Sequence, residues 1–153
     1  MCIILKSITE TPKVAESDMI TYKVLEAVED ETTGKESYYS PLSLNRLQYT
    51  IGKLYTEPIG KTEDVQDSYD MVRGFEKCKY AKTTTGLYSF KGIDKAKFLI
   101  SNMFSTMNIK YKLFRCKVPK GSKYYSRDDG EEIVSDNLVI LNQVSLLNYP
   151  KKV

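Results

Sequence analysis

The sequence predicts an α+β fold, and three observations carry that expectation. Short β-branched or alternating apolar runs recur in both halves of the chain. One segment of the second half carries apolar residues at helical spacing, and turns bearing Gly or Pro separate the runs. The expected architecture is a split β-sheet around one long helix, with one or two short helices, in a single domain spanning residues 1–153.

Met1–Ser7 reads as a first strand with Ile3, Ile4 and Leu5 as its apolar segment, followed by a loop through Pro12. Ile20–Val28 is β-branched and alternating, with Tyr22, Val24 and Val28 on one face. The run Glu29–Gly34 is a polar turn, and Ser37–Ser40 returns as a short strand up to Pro41. Leu42–Tyr55 fits either a short helix followed by a strand or an irregular segment. Thr56–Lys82, charged and poor in apolar residues, reads as a long surface excursion.

The second half is clearer. Gly86–Phe90 is a strand and Lys91-Gly92 a turn. Ile93, Ala96, Ile100, Met103, Phe104 and Met107 then recur on one helical face, with Asp94 at the positive end of the helix dipole. Tyr111–Val118 is a strand with Phe114, Cys116 and Val118 inward, turned by Pro119-Lys120-Gly121. Glu131–Ser135 and Leu138–Leu147 are the last strands.

Composition narrows the chemistry. Histidine is absent, so no histidine acts as acid, base or metal ligand. The cysteines, Cys2, Cys78 and Cys116, are odd in number and form no CxxC pair, which predicts free thiols and no structural zinc. No run approaches the roughly 20 apolar residues that span a bilayer. The apolar start is too short for a signal peptide, so the expected location is the cytoplasm, with no membrane partner. A net charge of +3 from scattered lysines argues against nucleic acid as the partner. Twelve tyrosines against five phenylalanines suit half-wet strand faces, although tyrosine with lysine also stacks on bases.

Three short motifs have both a chemical and a plain reading. Met1-Cys2 would expose an N-terminal nucleophile after loss of the methionine, or simply begin a core strand. Cys78 between Lys77 and Lys79 is an activated thiol or part of a solvated loop. Pro119-Lys120-Gly121-Ser122-Lys123-Tyr124-Tyr125 is a phosphate cradle or a basic turn between strands; the strand–loop–helix context of a P-loop is missing.

The strongest functional lead is the order of elements from Gly86 to Tyr149. Gly86-Leu87-Tyr88-Ser89-Phe90 followed by Asp94-Lys95-Ala96-Lys97-Phe98 resembles the nicotinamide-pocket segment of ADP-ribosyltransferases of the poly-ADP-ribose polymerase type. Leu113–Val118 with Gly121 is similar to that family's strand and glycine turn. Gly130-Glu131-Glu132-Ile133-Val134 resembles its glutamate-bearing strand, and Gln143–Leu147 its last strand. The resemblance implies an ADP-ribosyltransferase-like sheet and an NAD or ADP-ribose-like nucleotide as ligand. It also implies Glu131 as the catalytic carboxylate, with Glu132 one residue out of step, and Tyr88 and Ser89 beside the nicotinamide. Where the family has His-Gly or Arg on an early strand, this chain has Tyr22-Lys23, and a lysine lacks the planar fork of arginine.

A second resemblance joins Met1-Cys2, Gly86–Lys91, Pro119–Tyr125 and Glu132–Ser135 to small proteins of bacteriophages and prophages. It implies an accessory protein in host modification or counter-defence. The expected function is nucleotide binding at Tyr22, Lys23, Tyr88 and Ser89, with NAD-dependent transfer through Glu131 if the protein is an enzyme. The alternatives are a non-catalytic module that sequesters a nucleotide or blocks a host protein, and a virion component without ligand.

Overall fold

A computed structural model describes residues 3–5, 11–40, 47–59, 63–70, 76–83, 86–103, 109–126 and 131–145. In chain order the elements are β1 (Ile3–Leu5), β2 (Lys13–Val14), β3 (Met19–Glu29), β4 (Glu36–Tyr39), β5 (Gln48–Tyr49), β6 (Leu54–Thr56), β7 (Glu63–Asp70) and β8 (Glu76–Thr83). There follow β9 (Leu87–Phe90), α1 (Ile93–Phe98), a π-helical turn (Leu99–Met103), β10 (Lys110–Val118), β11 (Lys123–Ser126), β12 (Glu132–Ser135) and β13 (Asn137–Val144).

This is a largely antiparallel β fold, which corrects the α+β expectation and its ADP-ribosyltransferase-like sheet around one long helix. The main sheet runs β2-β11-β12-β9-β3-β10-β13-β6, with β4 paired to β3 and β5 to β4. A smaller sheet, β1-β8-β7, touches β11 and β12 through β1.

The expected helix over Ile93–Met107 is α-helical only to Phe98 and then widens into the π turn. Ile93, Ala96, Leu99 and Ile100 all pack on the sheet residues Val24, Phe90 and Leu113. Ala96, Leu99 and Ile100 keep the i, i+3, i+4 spacing of an α-helical face, so the stripe itself does not mark where the helix widens. Phe104 and Met107, also expected on that face, lie outside the described residues.

The supposed surface excursion Thr56–Lys82 contains two of the longer strands. β7 and β8 pair antiparallel, with Glu63 opposite Lys82 and Tyr69 opposite Lys77. Hydrophobic alternation cannot reveal a strand written Glu-Asp-Val-Gln-Asp-Ser-Tyr-Asp. The short helix considered near Leu42 falls outside the described residues, while Gln48–Tyr49 and Leu54–Thr56 are strands.

β3 organises the main sheet. One edge pairs with β10 from Met19 to Ala27. The other edge is shared: Tyr22 pairs with Phe90 of β9, and Glu26–Glu29 pair with β4. The polar turn between β3 and β4 is held by Asp30, whose carboxylate accepts the N–H groups of Thr32 and Thr33.

Alternation sends Tyr22 and Val24 outward under α1, and Leu25 inward. The inner core joins Leu25, Leu87, Phe114, Cys116, Val118, Leu138 and Ile140, and is covered by Tyr49 of β5 with Tyr38 and Tyr55. Tyr38 meets Phe114 edge-on at 4.8 Å between centroids, and Tyr49 meets Tyr55 at 4.9 Å. Between Arg115 and Cys116 the β10–β13 register skips Leu141, a bulge that adds to the bend of β13. At the far edge Glu36 binds Lys112 and Lys110 of β10, tying β4 across β3.

Gly86 leads β9 with φ of 127°, and a Cβ there would stand 2.4 Å from Val134 Cγ2. Gly121, also at positive φ, has open space around it. Gly86→Ala should therefore cost about 2–4 kcal/mol through strain and overlap, and Gly121→Ala about 1 kcal/mol through backbone strain alone. Urea unfolding of both variants measures this; equal midpoints would contradict the Val134 contact.

Candidate functional site

The proposed site residues divide between the two faces of the sheet. The pair Tyr22–Phe90 shares the outer face with α1, so alternation turns Lys23 and Ser89 together onto the inner one. Leu25 and Leu87, flanking them on the same strands, belong to the inner core. Tyr88 packs its ring with Tyr125, Val134 and Ile59, away from Lys23's face. The structure thus unites Lys23, Ser89 and the backbone carbonyl of Tyr88, while the rings of Tyr22 and Tyr88 lie elsewhere.

Glu131 precedes β12. Its carbonyl accepts the Lys91 N–H at 2.7 Å, and a carboxylate oxygen lies 3.1 Å from where a Cβ on Gly92 would stand. It therefore sits against the turn into α1. Glu132, its neighbour, pairs with Phe90.

Lys23 is 8% exposed on a strand whose inward row also holds Thr21, Leu25 and Ala27. Its amine donates to the Tyr88 carbonyl at 2.5 Å, beside the only register pair that joins β3 to β9. It also stands 5.4 Å from the centre of the Tyr49 ring, a cation–π distance. Among the described residues it has no ion-pair partner. Ser89 Oγ and Thr21 Oγ1 are buried on the same face, and among the described residues neither has a hydrogen-bond partner. Buried orphan hydroxyls are uncommon and call for an occupant or a role.

Burial dominates the electrostatics. It pulls Lys23 down to about 8, against smaller upward pushes from Cys116 and Glu57. Burial pushes the Cys116 thiol up to about 12, with Lys23 opposing, and Cys116 is a free cysteine. Burial likewise pushes Tyr49 up to about 12, despite a hydrogen bond from Ser40. Lys23, Tyr49, Cys116 and the half-buried Glu57 therefore form one electrostatically connected cluster, with thiol and phenol protonated at neutral pH. Perturbed groups gathered in this way occur both at functional sites and in structural networks.

Of this cluster only Lys23 and Ser89 were expected from sequence. Thr21 and Cys116 had a usable signal, since both fall on inward positions of clear strands. Tyr49 and Glu57 had none, because Tyr49 falls in the ambiguous Leu42–Tyr55 and Glu57 in Thr56–Lys82, read as a surface excursion. The Pro119–Lys123 motif forms a turn between β10 and β11, its Lys120 N–H held by Asp18.

Comparison with known protein families, characterised proteins and solved structures finds no match for this chain.

The unfolded chain holds the Lys23 proton up to about 10.5, the folded chain only to about 8. The group's contribution to stability therefore rises with pH across that window. Cys116 acts in the opposite sense from about 9 upward, because the unfolded thiol ionises first. Between pH 7.5 and 9, wild type should gain about 1 kcal/mol relative to Lys23→Met. Denaturant titrations at the two pH values measure the difference; parallel behaviour of the two proteins would show that Lys23 keeps an ordinary pKa.

Proposed function

We infer that this protein is a non-catalytic binding module for an anionic, nucleotide-like ligand of the NAD or ADP-ribose class, with Lys23 as its anchoring cation. One observation carries the reading: an amine is buried on the inner face with a carbonyl and an aromatic ring beside it, and among the described residues no carboxylate forms an ion pair with it, Glu57 acting only at longer range. A phosphate arriving there would supply the missing countercharge, and Ser89 and Thr21 would supply hydroxyl donors. Binding favours the protonated amine and so draws a proton onto Lys23.

Transfer chemistry has less support. A catalytic glutamate must meet the sugar that the anchoring groups hold, yet Glu131 lies against Gly92 at the turn into α1. Sequestration of a nucleotide fits the arrangement better than its consumption. The protonated free thiol of Cys116 suits a reducing compartment such as the cytoplasm. Among the described residues no helix is long and apolar enough to cross a membrane. The accessory role in an infected bacterium rests on the sequence resemblance alone.

Calorimetric titration with ADP-ribose and NAD at pH 7 tests the reading. Wild type should bind, Lys23→Met should bind at least about tenfold more weakly, and Glu131→Ala should match wild type. Absence of heat with both nucleotides overturns it, and loss of binding in Glu131→Ala alone would move the site to α1.

A further inference from the structure

We propose that the outer face of the main sheet, beyond the cover of α1, carries a protein-docking strip of Ile20, Lys117, Val139 and Leu54 with Arg115 beside it. Its partner is a segment of another protein that sets carboxylates among aliphatic side chains. The strip is independent of the nucleotide reading, because Lys23 and Ser89 lie on the opposite face.

Strand register builds the strip. Ile20 of β3 pairs with Lys117 of β10, Lys117 with Val139 of β13, and Val139 with Leu54 of β6. Directly paired residues point to the same face, and alternation makes it the face of Tyr22, Val24 and Leu113. Four side chains thus line up across four neighbouring strands, about 14 Å at the usual strand spacing. Two residues along β3 and β10, Arg115 is paired with Tyr22. The helix covers this face at Val24, Phe90 and Leu113, with Tyr22 partly buried beside them. Past that cover Ile20 is 36% exposed, Leu54 is 53% exposed, and Arg115 is exposed as well.

Composition and charge select the partner. The water-facing side of an antiparallel sheet is ordinarily polar, yet three of the four residues in this row are aliphatic. Leu54 also stands on β6, the end strand of the main sheet, where edges are usually guarded by charge. Among the described residues, the side chains of Arg115 and Lys117 have no ion pair or hydrogen bond. Lys110 and Lys112 of the same strand, by contrast, are both engaged by Glu36. Asp18, just before β3, is taken by the Lys120 N–H. Carboxylates on a partner would fix its register on the two free cations, while its aliphatic side chains cover Ile20, Val139 and Leu54. A second copy in two-fold pairing would instead bring the cations against each other. Nucleic acid is disfavoured because the row offers bases no aromatic ring to stack on.

Selection from a displayed library of random dodecapeptides on the immobilised wild-type chain tests the strip, with the recovered peptides resynthesised and titrated. Selected sequences should be enriched in Asp and Glu together with Ile, Leu and Val. The tightest should bind both Arg115→Glu/Lys117→Glu and Leu54→Ser at least about tenfold more weakly than wild type, and weaken as salt rises. In NMR spectra of wild type it should shift Ile20, Lys117, Val139 and Leu54 and leave Lys23 unmoved, a readout that stands even if a variant fails to fold. Peptides without the acidic and aliphatic bias, or shifts that map elsewhere, overturn the proposal. A wild-type dimer in ultracentrifugation that Leu54→Ser dissociates overturns it in favour of self-association. Displacement of the peptide by DNA overturns it in favour of nucleic acid.

Discussion

Where β9 parts from β3, a lysine amine of β3 binds a backbone carbonyl of β9 and so bridges the two strands. β3 carries three neighbours on two edges, β10 along its length and then β9 and β4 in turn. A strand edge shared in this way leaves backbone polar groups facing the gap, and buried groups of that kind must find partners. Lys23 reaches the Tyr88 carbonyl there. The same reach keeps its nitrogen under the inner core of Leu25, Phe114 and Leu87, where the charged form is disfavoured. One side chain thus closes a seam in the sheet and remains chemically poised.

Layers pack on both faces of the sheet that carries the amine. α1 and its π turn cover the outer face over Val24, Phe90 and Leu113. Tyr38, Tyr49 and Tyr55 cover the inner core, Tyr38 edge-on to Phe114 and Tyr49 edge-on to Tyr55. These tyrosines have a structural use: Tyr49 is buried, while Tyr38 and Tyr55 fill half-buried positions and their hydroxyls reach polar partners, as Tyr55 does with the Thr50 N–H. Tyr38 similarly donates to Glu36, whose carboxyl the Lys112 hydrogen bond holds below its usual range.

Much of the strand pattern was legible because a half-buried strand writes its face into every second residue. Met19–Glu29 and Lys110–Val118 fall where Ile20–Val28 and Tyr111–Val118 were expected, and Phe114, Cys116 and Val118 do point inward. The polar strands β7 and β8 carry no such signal. The long helix misled because its apolar spacing is real over Ile93, Ala96 and Ile100, yet spacing cannot say where an α-helix widens into a π turn. For the candidate site, the alternation that put Tyr22 and Val24 on one face already placed Lys23 on the other. Nothing local, however, announced Tyr49 or Glu57, which come near the amine only through the pairing of β5 with β4 and of β6 with β13.

The candidate site turns on the state of a single nitrogen, and that state is directly measurable. Following the Lys23 side-chain resonances by NMR from pH 6 to 11, with Lys23→Met to assign them, reads its titration without reference to stability or activity. A midpoint near 8, moving upward when ADP-ribose is added, is the result that the buried, unpaired amine predicts. A midpoint near 10.5, unmoved by nucleotide, would mean that the amine is solvated and that the inner face is core alone.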